Sequence, residues 1–277
     1  CTLYRTLIQL RMQQPSFTTY SRLWLFAEGV LHVRQSFLVP EGWPIRAQLA
    51  LYAVAALMPR RGLVAAAVLA RFAIYLAQAP MIWDSSIWAN FTDLAFLLAI
   101  LLRPQSIMGG CSGTIRAAMG LFYMAAGFWK VNSAFLDHKL SCASIYIASL
   151  LAYLPPALRP VWLVDAALTT APLTTIIGEL GLGVCLVAPS RAAQRLGVAL
   201  AGLLHFAIAI TPHPNSVPTF GVMCMVRVFH VLPDAWTTAL GECASLPSTP
   251  QGLLVRVAAA ALIAGSCAFS SVPALPV

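Results

Sequence analysis

Long apolar runs separated by short polar breaks make up most of this chain. The runs are rich in alanine and leucine and lack two-residue alternation, so they predict helices rather than the strands of a membrane barrel. The predicted helical spans cover residues 21–39, 45–58, 62–82, 87–103, 114–132, 161–188, 195–211, 217–233 and 252–269. A further apolar run at 143–154 is too short to cross a bilayer and is followed by two prolines, which predicts a re-entrant or interfacial helix.

The composition indicates which solvent surrounds these helices. Of the 277 residues, 60% are hydrophobic and only 9% are charged, whereas soluble domains carry about 25% charged residues. The sequence therefore predicts an all-α, polytopic integral membrane bundle of about seven to nine helices. We expect a polar N-terminal surface segment at 1–20, a single transmembrane domain at 21–270 and a C-terminal tail at 271–277.

The net charge of +8 does not indicate nucleic-acid binding, because the arginines are dispersed singly near the ends of the predicted spans. This distribution is typical of membrane loops that contact anionic headgroups. Membrane lipids are accordingly the first predicted partners. The sequence identifies no compartment, and an organelle membrane is one alternative.

Several ionisable residues fall inside predicted spans, where they need partners within the protein. Glu28 and His32 are four residues apart and share a helix face, which we expect to point into the bundle. They are interpreted as a packed Glu–His pair or as a ligand contact. Arg71 could pair with Asp93 on a neighbouring helix, although Asp93 also lies close to Trp88 and could be interfacial.

Two further ionisable residues are predicted to be buried in the second half of the chain. Glu179 lies deep in the span at 161–188 and should pair with a cation or a hydrogen-bond donor, for which Arg71, Arg227 and His205 are the candidates. His205 precedes a proline-rich hairpin and should face inward. A lone membrane histidine is usually a packing residue, so no metal site is predicted; a pigment ligand is the alternative.

Lys130 lies near the C-terminal end of the span at 114–132, where a lysine can either extend to the membrane surface or point into the bundle. Asn132 and Asp137 follow closely, with Phe135 between them. We expect the Lys130 ammonium to point into the protein and to bond Asn132, Asp137 or a backbone carbonyl.

This lysine block carries a resemblance to a known family. FYMAAGFWKVNSAFLD at 122–137 and LGVALAGLLHFAIAITPHPN at 196–215 resemble the HTTM family, the horizontally transferred transmembrane module related to the membrane part of vitamin K-dependent gamma-carboxylase. The resemblance covers about residues 20–235. It implies that Lys130 corresponds to the base that starts oxygenation of a reduced quinone. Two features depart from the carboxylase: Trp129 stands where it has a second lysine, and these residues include no large lumenal portion.

Three functions remain open from the sequence. The leading one is an accessory or structural subunit of a larger membrane complex, whose partners are other membrane subunits. The alternative is a carboxylase- or oxygenase-like enzyme that acts on a lipid-soluble quinone with Lys130 as base, since a lysine in an apolar pocket supplies a neutral amine more easily. The third is a transporter built around residues 172–179. The candidate cofactors are bound lipid, quinone or pigment.

The candidate site residues follow from these hypotheses. The catalytic candidates are Lys130, if the protein is an enzyme, and His205. The polar supporting residues are Glu28, His32, Asn132, Asp137 and Glu179.

Overall fold

The computed structural model describes residues 17–38, 43–77, 84–211 and 218–228, and the regular structure in these ranges is entirely helical. This confirms the predicted all-α class for the described part of the chain. The ten α-helices are α1 (Phe17–Leu38), α2 (Trp43–Leu57), α3 (Arg61–Ala77), α4 (Asp84–Leu102), α5 (Ile107–Trp129), α6 (Ser133–Leu136), α7 (Cys142–Leu151), α8 (Val161–Val187), α9 (Arg191–Ile210) and α10 (Pro218–Val228). A single 3₁₀ turn, Pro156–Leu158, lies between α7 and α8.

Prolines mark many of the helix boundaries because they lack the amide hydrogen that a continuing helix requires. Pro59 separates α2 from α3, Pro104 separates α4 from α5, and Pro189 lies in the short connection between α8 and α9. Pro160 caps the start of α8. The predicted spans and the short helix at 143–154 each correspond, in order, to an observed helix in the described residues, whereas the four-residue helix α6 was not predicted. The last predicted span, 252–269, lies outside the described residues.

Length and composition allow α8 and α9 to cross a bilayer, and Ile45–Leu57, Ile87–Leu102 and Cys142–Leu151 are shorter apolar helices. The prediction of seven to nine spans stays a prediction. The predicted surface segment at 1–20 lies mostly outside the described residues. However, α1 already begins at Phe17, and Tyr20 is buried.

The chain divides into two compact units, each of which is described here separately. The described part of unit 1 comprises residues 17–38, 43–77, 84–118 and 222–228. Within it, α1 packs on α2, α2 on α3 and α3 on α4. The core is aromatic: Tyr20 meets Phe96 edge-on at a centroid distance of 4.9 Å, and Trp24 meets Tyr52 at 5.9 Å.

Unit 2 contains the described residues from 119 to 221, and its central element is α8. Helices α7 and α9 both pack against α8. Two glycines let α5 approach α8 very closely. A Cβ atom on Gly183 would lie 2.6 Å from the carbonyl oxygen of Gly120, and one on Gly120 would lie 3.1 Å from the carbonyl oxygen of Gly183. Small residues permit such backbone contact between helices.

We expect Gly183→Ala to destabilise the protein by about 1–2 kcal/mol, because its methyl group would meet backbone atoms of α5, the Gly120 oxygen and the Met124 nitrogen, as well as the Met124 side chain, and the backbone cannot move aside as a side chain can. Gly178→Ala is the matched control on the same helix, since a Cβ there meets nothing within 4 Å, and it should be neutral or slightly stabilising. The measurement is the melting temperature of both variants in detergent. Equal melting temperatures would show that α5 and α8 are not in close contact.

Candidate functional site

Four buried charged side chains meet in unit 1. Glu28 comes from α1, Arg71 from α3, Asp93 from α4 and Arg227 from α10. We call these four residues the arginine–carboxylate cluster. Two arginines and two carboxylates balance each other in charge, which is the condition for burying ionised groups at tolerable cost.

Arg227 makes the most contacts in the cluster. Its Nη2 lies 2.9 Å from Glu28 Oε1 and 2.8 Å from Asp93 Oδ1. Its Nε donates to Thr92 Oγ1 at 2.7 Å, and its Nη1 donates to the Met223 carbonyl at 3.0 Å. The guanidinium thus joins α10 to α1 and α4 through residues far apart in the sequence.

Arg71 bridges the same two carboxylates from the other side. Its Nε lies 2.7 Å from Glu28 Oε2, its Nη1 lies 3.1 Å from Asp93 Oδ2, and Nη1 also bonds the Asn90 side chain. Trp24 Nε1 donates to Asp93 Oδ1 at 2.9 Å. Every carboxylate oxygen in the cluster therefore accepts at least one hydrogen bond, as buried polar atoms require.

The cluster confirms one prediction, the Arg71–Asp93 pair. The Asp93 side chain is only 1% exposed, because two arginines and an indole hold it inside unit 1. Its interfacial position in a membrane stays a prediction. The sequence did not assign Arg227 to this cluster. Arg227 is the one charged residue described in α10, and this could have indicated that it pairs with a buried carboxylate.

Glu28 and His32 are both buried, as predicted, but their side chains do not pair with each other. His32 Nδ1 bonds the backbone carbonyl of Glu28 at 2.7 Å, while the Glu28 carboxylate turns to the two arginines. His32 packs edge-on against the Tyr52 ring at a centroid distance of 5.7 Å. His32 is therefore a packing residue of α1, and its Nδ1 is bonded within the same helix.

The second charged site lies in unit 2, where Lys130 Nζ is 2.6 Å from Glu179 Oε2. Lys130 follows the last residue of α5, and Glu179 lies in the second half of α8. The lysine side chain is 27% exposed and the glutamate side chain 11%. The prediction that Glu179 has a cationic partner is confirmed, but Arg71, Arg227 and His205 are the wrong partners, because Lys130 occupies that position.

Several local hydrogen bonds surround Lys130 at the C-terminal end of α5. Lys130 Nζ also contacts the Ala126 carbonyl at 3.4 Å, so the predicted backbone contact is present. Asn132 does not bond the ammonium: its amide donates to the Trp129 carbonyl, and its oxygen accepts from Phe135 N. Asp137 accepts from the backbone N–H of Lys139. The contacts to the Ala126 and Trp129 carbonyls satisfy acceptors that the end of α5 leaves free, and the other two satisfy backbone N–H groups of the following turns.

Helices α5 and α7 form an interrupted helix along α8. Gly127 lies against Leu180, Lys130 bonds Glu179, and Ser144 Oγ donates to the Leu168 carbonyl at 2.9 Å. As the chain advances through α5 and α7, its contacts therefore move steadily backward along α8. Both pieces run antiparallel to α8, and the break between them begins at Lys130.

The Ser144 contact has a physical cause in Pro172. Pro172 lies inside α8 and has no amide hydrogen for the carbonyl four residues earlier, which belongs to Leu168. The Ser144 hydroxyl supplies the missing donor, as serines commonly do near prolines in membrane helices. This bond fixes α7 against α8 at a point that follows the break in the chain.

A double-mutant cycle tests this role. Ser144→Ala should cost about 1 kcal/mol in the natural chain, because it leaves the Leu168 carbonyl without a donor. In a Pro172→Ala background the new amide bonds Leu168, so the same substitution should cost almost nothing. Thermal unfolding of the four proteins gives the coupling energy. Additive effects would show that the hydroxyl does not replace the proline's missing amide.

His205 is buried in α9, as predicted, and its Nε2 lies 2.6 Å from the Tyr123 hydroxyl of α5. Its ring packs against Phe220 at a centroid distance of 5.6 Å, and a Cβ on Gly221 would lie 3.0 Å from its own Cβ. The predicted rigid hairpin falls largely on residues 212–217, outside the described residues. If the protein is an enzyme, we expect Lys130 and His205 to line one cavity.

The two sites differ in what they can do chemically. The arginine–carboxylate cluster is closed, since its charged atoms bond one another and their neutral neighbours. The Lys130–Glu179 pair is partly open, since the lysine side chain is 27% exposed. In the described ranges, no three histidine, cysteine, aspartate or glutamate side chains are grouped to bind a metal ion.

Comparisons of the chain with protein-family models, with characterised proteins and with solved structures return no match. The resemblance to the HTTM family therefore depends on the motif residues alone.

Proposed function

We propose that the chain is a polytopic integral membrane protein that serves as an accessory or structural subunit of a larger membrane complex. The supporting observation is an inverted distribution of side chains in the described residues. Charged and amide groups such as Glu28, Asp93 and Arg227 are buried, whereas large apolar groups such as Leu102 and Phe206 are exposed. Water disfavours this arrangement, and lipid favours it.

The closed cluster supports the structural role within this proposal. The two carboxylates and two guanidinium groups of the cluster pair with one another and join α1, α3, α4 and α10. The cluster therefore has no unpaired carboxylate or guanidinium for a substrate. A catalytic centre needs groups that can change partners during a reaction. A scaffold subunit needs helices fixed in position, and a balanced ionic network provides this.

Extraction experiments test the membrane assignment. After expression, the protein should stay in the membrane pellet through alkaline carbonate and should enter solution only with detergent. Release by carbonate would contradict it. In mild detergent, native gels should then show a species much larger than 29.6 kDa that contains other membrane polypeptides in fixed stoichiometry, and a detergent-solubilised monomer would contradict the subunit role.

One observation favours an enzyme as the second candidate. Lys130 combines an ion pair with partial exposure, and moving one proton across its 2.6 Å contact would give a neutral amine and a neutral carboxylic acid. A neutral amine can act as the base that the family resemblance implies. The test is turnover of a reduced quinone by the purified protein: Lys130→Ala should abolish it, and the exposed Lys139→Ala should not.

A further inference from the structure

Helices α1 and α4 of unit 1 run in opposite directions. Phe17 contacts Phe96 at a centroid distance of 6.1 Å. Trp24, about two turns later in α1, donates to Asp93, which lies about one turn earlier in α4. The start of α1 therefore lies at the same end of unit 1 as the end of α4. The turn between α4 and α5 follows directly at that end.

Helix α2 ends, and α3 begins, at this same end. Arg22 Nε, in the second turn of α1, donates to the Ala56 carbonyl near the end of α2 at 3.1 Å. Only residues 58–60 separate α2 from α3. The start of α1, the α2–α3 turn and the α4–α5 turn therefore share one end of unit 1.

The fold gathers at this end four arginines that are dispersed along the sequence. Arg22 lies in α1, Arg60 and Arg61 lie where α2 turns into α3, and Arg103 lies in the α4–α5 turn. Arg60, Arg61 and Arg103 are exposed, and Arg22 is partly exposed. We call these four residues the basic end of unit 1.

No carboxylate balances the basic end within the described residues of unit 1. Glu28 and Asp93 are buried in the arginine–carboxylate cluster, where they pair with the two arginines of that cluster. Asp84 begins α4 and so lies at the opposite end. The basic end therefore presents unbalanced positive charge to its surroundings.

Large apolar side chains adjoin these arginines directly. Leu57 and Met58 precede Arg60, and Leu102 precedes Arg103. Leu57 is 78% exposed and Leu102 is 73% exposed. An acidic soluble protein could neutralise the arginines, but its polar surface would not suit the leucines beside them. A membrane surface suits both, since phosphates pair with guanidinium groups while the acyl chains below contact the leucines.

We infer that the basic end of unit 1 binds the headgroups of anionic phospholipids and thereby faces the leaflet that carries the negative surface charge. In a plasma membrane this is the cytoplasmic leaflet, so the α2–α3 and α4–α5 turns lie on that side. The inference rests on the membrane assignment in the proposed function, and it adds the lipid class and the orientation of unit 1.

Photoreactive lipids test the inference. The purified protein is reconstituted into phosphatidylcholine vesicles in which about one third of the lipid is phosphatidylglycerol. A trace of phosphatidylglycerol or of phosphatidylcholine carries a photoreactive group near its headgroup, and mass spectrometry maps the adducts. The yield at residues 57–61 and 101–104 should be about five- to twentyfold higher with the phosphatidylglycerol probe.

Charge-neutral variants give the second measurement. Arg60→Gln, Arg61→Gln and Arg103→Gln together should lower the yield from phosphatidylglycerol to the level of phosphatidylcholine, and because all three side chains are exposed the fold should be retained. Arg46→Gln is the control, since this exposed arginine of α2 lies at the opposite end and its loss should change nothing here.

A competitor distinguishes a lipid headgroup from free phosphate. Inorganic phosphate should lower the adduct yield no more than sodium chloride of equal ionic strength, because the acyl chains hold the lipid in place. A specific loss with phosphate would identify a site for the free ion and overturn the lipid assignment. In native membranes, a photoreactive amino acid at Met58 should give lipid adducts, and capture of an acidic polypeptide there would also overturn it.

The remaining outcomes separate this inference from the membrane assignment. Equal yields from the two lipid probes, or an unchanged yield in the triple variant, would overturn the inference while the protein still resists extraction by carbonate. Release by carbonate would overturn the membrane assignment itself.

Discussion

Arg227→Met should destabilise the protein by about 3–5 kcal/mol, the largest effect we expect from a single substitution. The change leaves two buried carboxylates facing one arginine, and it removes the donor from Thr92 Oγ1 and from the Met223 carbonyl. Breaking a buried ionic network by removing one partner costs this much, because the remaining charge stays in an apolar interior. Thermal unfolding in detergent should show a drop of about 10 °C.

Two further variants serve as controls for the Arg227→Met substitution. Arg61→Met removes an exposed arginine from unit 1 and should change stability by less than about 0.5 kcal/mol. Adding Asp93→Asn to Arg227→Met restores the charge balance while the Trp24 indole keeps its acceptor, so part of the lost stability should return. If Arg227→Met melts at the same temperature as the natural protein, the cluster does not hold unit 1 together.

The positions of the helices could be predicted well from the sequence, because apolar runs and prolines mark where helices begin and end. Helix α5 is the exception. It begins at Ile107 and not near Thr114, because Gly110 and Gly113 continue the helix while Met108 and Cys111 are buried beside them. Glycine is about 1 kcal/mol less favourable than alanine in a helix, so the sequence alone does not favour a helix at these positions, and packing overrides that preference.

The charged sites could be predicted only in part. Few charged residues occur in the spans, so Arg71 and Asp93 could be predicted as a pair because few other partners were available. The bond between Arg227 and Glu28 could not be predicted, since the two residues lie 199 positions apart in the chain. The inward direction of Lys130 was predicted, but its pairing with Glu179 was not. The two residues lie 49 positions apart, and no sequence pattern places the end of α5 beside the second half of α8.

Glu179→Leu should destabilise the protein by about 2–3 kcal/mol, the second largest effect we expect. It leaves the Lys130 ammonium with the 3.4 Å contact to the Ala126 carbonyl and with the Phe135 ring, whose centroid is 5.9 Å from Nζ. The loss should be smaller than for Arg227 because the lysine is 27% exposed and can be partly solvated. Asp165→Leu is the control on the same helix, where the carboxylate is exposed, and it should be neutral or slightly stabilising.

The double variant Lys130→Met, Glu179→Leu should recover most of the stability, since replacing both partners of an ion pair by apolar groups is often neutral. This variant also distinguishes the two candidate functions. It is expected to fold, so a loss of quinone turnover in it would reflect the missing amine and not unfolding. Turnover that persists in a folded double variant would remove Lys130 as the base. A double variant as unstable as Glu179→Leu alone would show that the pair has no direct energetic coupling.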